Sequence, residues 1–367
     1  MFANLARVFN DETPGMRPKV IAIFSLLISV NVVIWTLALV SSLRFPALLP
    51  LALTAYGLGL RHAVDADHIS AIDNVTRKLM QEKKKPVGVG LFFSLGHSTV
   101  VFLLAAGVAA GSAFLTTSLN NDSSQLKRIG SLVGTSVSAL FLFLIAVMNL
   151  VILVEIMRTF RRVTHGGVYD EDAIEEYLNH RGFFARIFRG LFKTVDKSWK
   201  MYPIGFLFGL GFDTATEVGL LAISGSFAAQ HVPFYVIMLL PLLFTAGMCL
   251  ADTTDGVMML GAYGWAFVKP IRKLFYNVTI TLISVLVAVL VGGIEVLQVV
   301  STQTHQSGGV WDLVNNLDFG KIGFGVIGIL AVSWALSTLI YRVNKYEQME
   351  PARTPITGPV ERELAPR

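Results

Sequence analysis

The chain has 367 residues, 53% of them hydrophobic and only 15% charged, with a mean hydropathy of +0.62. Soluble globular chains carry about 25% charged residues, so this composition excludes most soluble enzymes and nearly all disordered or nucleic-acid-binding chains. The net charge of +5 is the balance that basic cytoplasmic loops give a polytopic membrane protein, and the single cysteine, Cys249, excludes an internal disulfide and any multi-thiolate metal site.

Eight apolar runs approach or exceed the roughly 20 residues that a transmembrane helix needs. They lie near 20–40, 47–73, 87–110, 129–157, 203–228, 234–268, 276–299 and 321–341. The expected fold is an all-α polytopic membrane protein with eight transmembrane helices. The first run is too long for the apolar core of a signal peptide and has no small-residue cleavage site behind it, so it should persist as a helix. Arg7, Arg17 and Lys19 precede run 1, Arg77, Lys78 and Lys83 to Lys85 follow run 2, and Arg158, Arg161 and Arg162 follow run 4. Lys269, Arg272 and Lys273 follow run 6, and Arg342 and Lys345 follow run 8. On an eight-helix count all these clusters share one side, which predicts a cytoplasmic-membrane protein with both termini in the cytoplasm.

The stretch from about 158 to 200 begins acidic, Asp170 to Glu176, and ends with Phe184, Ile187, Phe188, Leu191 and Val195 at helical spacing between basic residues. That pattern suits an amphipathic helix lying in the cytoplasmic headgroup layer. Residues 1–346 then form one transmembrane domain, and residues 347–367, with Pro351, Pro355, Pro359 and Pro366, form a disordered cytoplasmic tail.

Two short similarities suggest internal duplication. Gly57-Leu58-Gly59-Leu60 resembles Gly209-Leu210-Gly211-Phe212, and Phe93-Ser94-Leu95-Gly96 resembles Phe244-Thr245-Ala246-Gly247, at offsets of 152 and 151 residues. Runs 2 and 5 cross in opposite directions, so helices 2–4 and 5–7 would form an inverted three-plus-three repeat, an architecture of secondary transporters.

Ionisable side chains at membrane depth are functional candidates by default, and here they concentrate in four places. Run 2 carries Arg61, His62, Asp65, Asp67 and His68, followed by Asp73 and Asn74; run 3 carries His97. Run 5 carries Asp213, Thr216 and Glu217, and run 6 carries Asp252 and Asp255. In a regular helix His62, Asp65 and His68 share one arc, Asp67 lands near the opposite side, and the two histidines stand about 9 Å apart along the axis. Either the helix is bent or unwound here or the histidines serve successive stations. A lone membrane histidine is more often a helix–helix hydrogen bond, but two histidines and two aspartates within seven residues favour metal or proton handling. Imidazole with carboxylate suits Ni²⁺, Co²⁺ or Zn²⁺. Asp213 and Glu217, four apart, and Asp252 and Asp255, three apart, each share a helix face. They supply charge to a cation path or, alternatively, brace broken helices. Glu295, near a helix end, is expected to reach water.

The run Arg61-His62-Ala63-Val64-Asp65-Ala66-Asp67-His68-Ile69, the segment Leu95-Gly96-His97-Ser98, the segment Gly209 to Glu217 and the segment Gly247 to Gly256 together resemble the signatures of the nickel/cobalt permease family, the NiCoT transporters. The resemblance implies uptake of Ni²⁺ or Co²⁺ as transported substrate across the cytoplasmic membrane by eight helices, without a resident cofactor, an ATPase subunit or enzyme activity. It also implies that His62, Asp67 and His68 are essential, whereas the regular-helix arc favours Asp65. Related exporters carry a histidine-rich cytoplasmic loop; here that loop has only His165 and His180, which favours import over export by the same superfamily. A membrane-embedded metalloenzyme is disfavoured because no His-Glu-x-x-His run occurs, and a proton channel is the remaining rival. A divalent cation moving down about 100 mV gains about 4.6 kcal/mol, roughly three decades of accumulation without ATP.

Overall fold

The computed structural model describes residues 10–11, 15–82, 84–110, 125–164, 195–211, 215–230, 232–266 and 270–343. Most of the 158–200 loop, the 347–367 tail and Asp213 lie outside them. Among the described residues there is no strand. The helices are α1 (Met16–Ser42), α2 (Leu48–His62), α3 (Ala66–Gln81), α4 (Val89–Ala109), α5 (Gln125–Thr164), α6 (Met201–Gly209) and α7 (Ala215–Ala229). They continue with α8 (Phe234–Ile237), α9 (Leu239–Ala266), α10 (Pro270–Thr304), α11 (Val310–Asn315) and α12 (Phe319–Val343).

Among the described residues six segments are long and apolar enough to cross a membrane: α1, α4, α12, and the stretches Ser131–Val151 of α5, Phe234–Ala262 through α8 and α9, and Val278–Thr304 of α10. The other two apolar runs are each divided between two helices. Run 47–73 is α2, a turn at 63–65, and α3; run 203–228 is α6, an interruption after Gly209, and α7. At the first break Asp65 takes an extended backbone (φ −64°, ψ 145°) at the N-cap of α3. Its carbonyl accepts the first helical bond from the Ile69 N–H at 3.1 Å, and Asp67 lies in the first turn, where the helix dipole favours an acid. Of the two readings open for 62–68, the helix is the broken one.

α3 is polar in sequence yet buried along most of its length, including Asp73, Asn74, Arg77 and Lys78. It stands inside the bundle, where its polar groups find partners that lipid could not supply. The Ser284 hydroxyl donates to Asp73 Oδ2 at 2.6 Å. Asn149 Nδ2 and Arg77 Nη2 both donate to Asn74 Oδ1, at 2.6 and 3.0 Å. Its apolar residues Ile69, Ile72, Val75 and Leu79 pack in one cluster with Phe93 of α4 and Leu142 of α5.

Lipid offers no hydrophobic drive for helix association, so close backbone approach at small residues carries much of the packing. A Cβ on Gly59 would overlap the Phe244 carbonyl, and one on Gly247 would come within 2.8 Å of the Tyr56 carbonyl, so α2 and α9 interlock reciprocally. A Cβ on Gly205 would overlap the Phe93 carbonyl and one on Gly96 the Tyr202 carbonyl, which locks α4 to α6 in the same way. The outer faces of α1 and α12 instead expose apolar residues such as Val32, Val33, Phe324 and Val332.

At one end of the bundle three segments meet. Asp11 accepts from the Ser198 N–H and Oγ at 2.6 and 2.8 Å, and its carbonyl accepts from the Lys85 N–H at 2.8 Å. Lys84 Nζ donates to the Asp196 carbonyl at 2.7 Å. The N-terminal segment, the α3–α4 connection and the approach to α6 thus share one end, as the charge pattern requires.

Candidate metal site

The break in α2–α3 brings together what a regular helix would separate. The ring centroids of His62 and His68 are 4.7 Å apart, and His97 of α4 completes a nearly equilateral triangle at 4.7 Å from His62 and 4.8 Å from His68. One ligand atom from each of the three lies within 4.8 Å of the others, and all three residues are buried. His62 Nε2 and His97 Nε2 are 2.9 Å apart, so one of these atoms carries the proton between them. A cation with metal–nitrogen bonds of about 2.0–2.1 Å would replace that proton and spread the two rings by a few tenths of an ångström.

Two of the imidazoles have a carboxylate beside Nδ1, whereas Nδ1 of His97 is buried without a hydrogen-bond partner among the described residues. His62 Nδ1 lies 2.9 Å from Asp65 Oδ2 and 3.0 Å from the Thr216 hydroxyl. His68 Nδ1 lies 3.1 Å from Asp252 Oδ2, which also accepts from the Ser94 hydroxyl at 2.6 Å. With a proton on Nδ1 held by Asp252 in His68, and by the Thr216 hydroxyl with Asp65 alongside in His62, the opposite nitrogen keeps its lone pair, the arrangement that orients metal-binding histidines. His68 Nε2 is buried without a hydrogen-bond partner among the described residues. Glu217 Oε1 approaches His97 Nε2 at 2.8 Å and His62 Nε2 at 3.9 Å, so it reaches toward the gap between those two rings. Three nitrogens and one carboxylate oxygen can hold a divalent first-row cation; no thiolate takes part.

His62, His97 and Glu217 line a cavity of about 650 Å³ that extends past Asp67 to Gln303 and Asp318 at the end of α10 and the start of α12. His68 lies behind it, fully buried. Of the residues singled out in the sequence, His62, Asp65, His68, His97, Thr216, Glu217 and Asp252 gather at one point. Asp67 faces the cavity, and Asp255 is within electrostatic reach of Asp73 and Asp252. Asp65 and Asp67 therefore hold different posts, one on the His62 ring and one on the cavity wall.

Ser94, which the sequence shows only within the Phe93-to-Gly96 match, is the hydroxyl partner of Asp252. Glu295 is a correction: it is 3% exposed, accepts from the Ser138 hydroxyl at 2.7 Å and lines the cavity. α10 runs on to Thr304, beyond the apolar run, so Glu295 lies within the helix rather than at its end.

The fold and this cluster define a polytopic helical membrane protein with a buried nitrogen–carboxylate centre at a helix break. The family described as high-affinity nickel-transport protein matches residues 48–340, and the chain belongs to it. The chain is 50% identical over 352 residues to a high-affinity nickel transport protein of Cupriavidus necator, covering 95% of this chain and 99% of that protein. It is 50% identical over 296 residues to the nickel transporter NicT of Mycobacterium tuberculosis, covering 81% of this chain and 79% of that protein. A cobalt transport protein, NhlF of Rhodococcus rhodochrous, is 39% identical over 287 residues, 76% of this chain and 79% of that protein. No solved structure matches the chain.

Proposed function

We propose that the chain imports Ni²⁺ or Co²⁺ across the cytoplasmic membrane, with His62, His68, His97 and Glu217 as ligands and Asp65 and Asp252 orienting the rings. The observation that carries this is the convergence of three buried imidazoles within 4.8 Å, at a break in a membrane helix. The cation enters the cavity past Asp67, sheds water against the nitrogen ligands, and leaves along α3 and α9 by way of Asp252, Asp255 and Asp73. The membrane potential supplies the energy. Purified protein in liposomes with an inside-negative potential should accumulate nickel, cobalt should compete, and collapse of the potential should stop uptake. Extrusion of metal against the same potential would reverse the assigned direction, and proton current indifferent to nickel would replace the assigned function.

The reading includes eight spans, with α2–α3 and α6–α7 as the two broken ones, and an inverted repeat. The reciprocal glycine contacts support the repeat. Tyr56-x-x-Gly59 of the first half meets Phe244-x-x-Gly247 of the second, and Tyr202-x-x-Gly205 of the second half meets Phe93-x-x-Gly96 of the first. These pairs give offsets of 146 and 151 residues, so the first helix of each half aligns on Tyr-x-x-Gly rather than on the Gly-Leu-Gly match at 152. Paired broken helices at the interface of such repeats are where secondary transporters place their substrate. Both termini lie in the cytoplasm, which the shared end of Asp11, Lys85 and Ser198 favours. A cysteine at Lys321 should react with an impermeant maleimide added outside intact cells and one at Trp199 only after lysis; the opposite pattern overturns the topology.

A further inference from the structure

The start of α12 sits directly on the break that forms the site. A Cβ on Gly323 would overlap the Val64 carbonyl, a backbone atom, so glycine is needed there for α12 to seat, and Gly320 lies against the Arg61 guanidinium. Asp318 precedes the helix and accepts from the Gly320 N–H at 2.9 Å. Its carboxyl stands below the usual carboxylate range: slight burial opposes this, and Arg61 with the N–H groups of Lys321 and Gly320 outweighs it. Arg61 divides its guanidinium between two acids. Nη2 donates to Asp318 Oδ1, and Nη1 donates to Asp65 Oδ1 at 3.1 Å. The other oxygen of Asp65 is the one beside His62 Nδ1 at 2.9 Å.

We propose that Asp318 is a positioning residue for the metal site, acting through Arg61 to hold Asp65 in the orientation that fixes His62. The chain Asp318, Arg61, Asp65, His62 is continuous, and it crosses from α12 to the break at the mouth of the cavity. Without Asp318 the guanidinium closes on Asp65 alone and draws that carboxylate away from the imidazole. The ring that should present Nε2 to the cation is then less well fixed. Asp318 is 40% exposed and touches no ligand atom, so its loss acts on affinity rather than on folding.

The proposal rests on the three-histidine cluster being the metal site, and the test separates the two. Nickel titration of the purified full-length protein in detergent, with uptake into proteoliposomes, is compared for wild type, Asp318→Asn, Asp318→Glu, Arg61→Gln, Arg61→Gln/Asp318→Asn and His68→Ala. Loss of an outer orienting group typically costs 10–100-fold; one step further out, Asp318→Asn should raise Kd and KM about five-fold with kcat within about two-fold. Asp318→Glu should restore most of the loss, and Asp318→Asn should add nothing in the Arg61→Gln background. Binding that is lost in His68→Ala but unchanged in Asp318→Asn overturns this proposal alone. So does an equal further loss in the Arg61→Gln background, or equal loss in Asp318→Asn and Asp318→Glu together with lowered thermal stability. Wild-type binding by His68→Ala overturns the site itself.

Discussion

Replacing His68 by alanine should abolish high-affinity nickel uptake, lowering it more than about 100-fold, while the protein remains folded in the membrane. His68 is fully buried, its Nδ1 is held by Asp252 at 3.1 Å, and its Nε2 has no hydrogen-bond partner among the described residues. On the proposed ligand set, removing it takes one of three nitrogen ligands from the cation. The packing loss is one ring against Phe93, His97 and His62, whose centroids are 4.8, 4.8 and 4.7 Å away, about 1–3 kcal/mol. Asp252→Asn removes only the acceptor that orients the ring and should cost about 10–100-fold. Uptake of radioactive nickel into proteoliposomes, normalised to folded protein by size-exclusion chromatography, checks both. Undiminished uptake by His68→Ala would remove this residue from the site.

Gly59→Ala should strongly destabilise the protein, whereas Gly57→Ala, two residues away on the same helix, should not. A methyl group at 59 would overlap the Phe244 carbonyl, a backbone atom that cannot rotate aside, so α2 and α9 must separate by ~1 Å. The expected cost is about 3 kcal/mol or more, and the site moves with it, because His62 is the last residue of α2. At Gly57 nothing lies within 4 Å of an added Cβ, and alanine gains up to about 1 kcal/mol of helix propensity. Thermal unfolding in detergent should therefore shift in opposite directions for the two variants. Gly205→Ala, on the α4–α6 contact, should behave as Gly59→Ala does. Equal midpoints for Gly57→Ala and Gly59→Ala would show that the interlock carries little of the stability.

The ingredients of the cluster were legible because charge at membrane depth is rare and costly, so His62, His68, His97, Glu217 and Asp252 stood out against apolar runs. Their geometry was harder to read. Helical arithmetic put His62 and His68 about 9 Å apart, and the break that closes them to 4.7 Å is signalled locally only by Asp65 at a position suited to an N-cap. Partners distant in the chain, such as Asp252 for His68, leave no local signal at all. The basic residues of α3 are hard to read for a different reason: hydropathy assigns Arg77 and Lys78 to water beyond run 2, whereas neighbouring helices bury them. The same limit hid Asp318, which gains meaning only when Gly323 lets α12 settle on the break. The proposed repeat meets the same limit: the Gly-Leu-Gly match at 152 residues and the glycine contacts at 146 and 151 select different glycine pairs, since Gly-rich helices offer several alignments.

The central claim is that the cation is bound by imidazole nitrogens of His62, His68 and His97 with carboxylate oxygen beside them. X-ray absorption spectroscopy of the purified nickel-loaded protein, at one metal per chain, tests it most directly. The account predicts three imidazole ligands, with multiple-scattering features of ordered rings, completed by oxygen, and the loss of one ring from that shell in His97→Ala. A shell made only of oxygen, or a spectrum unchanged by removal of any of the three histidines, would contradict it.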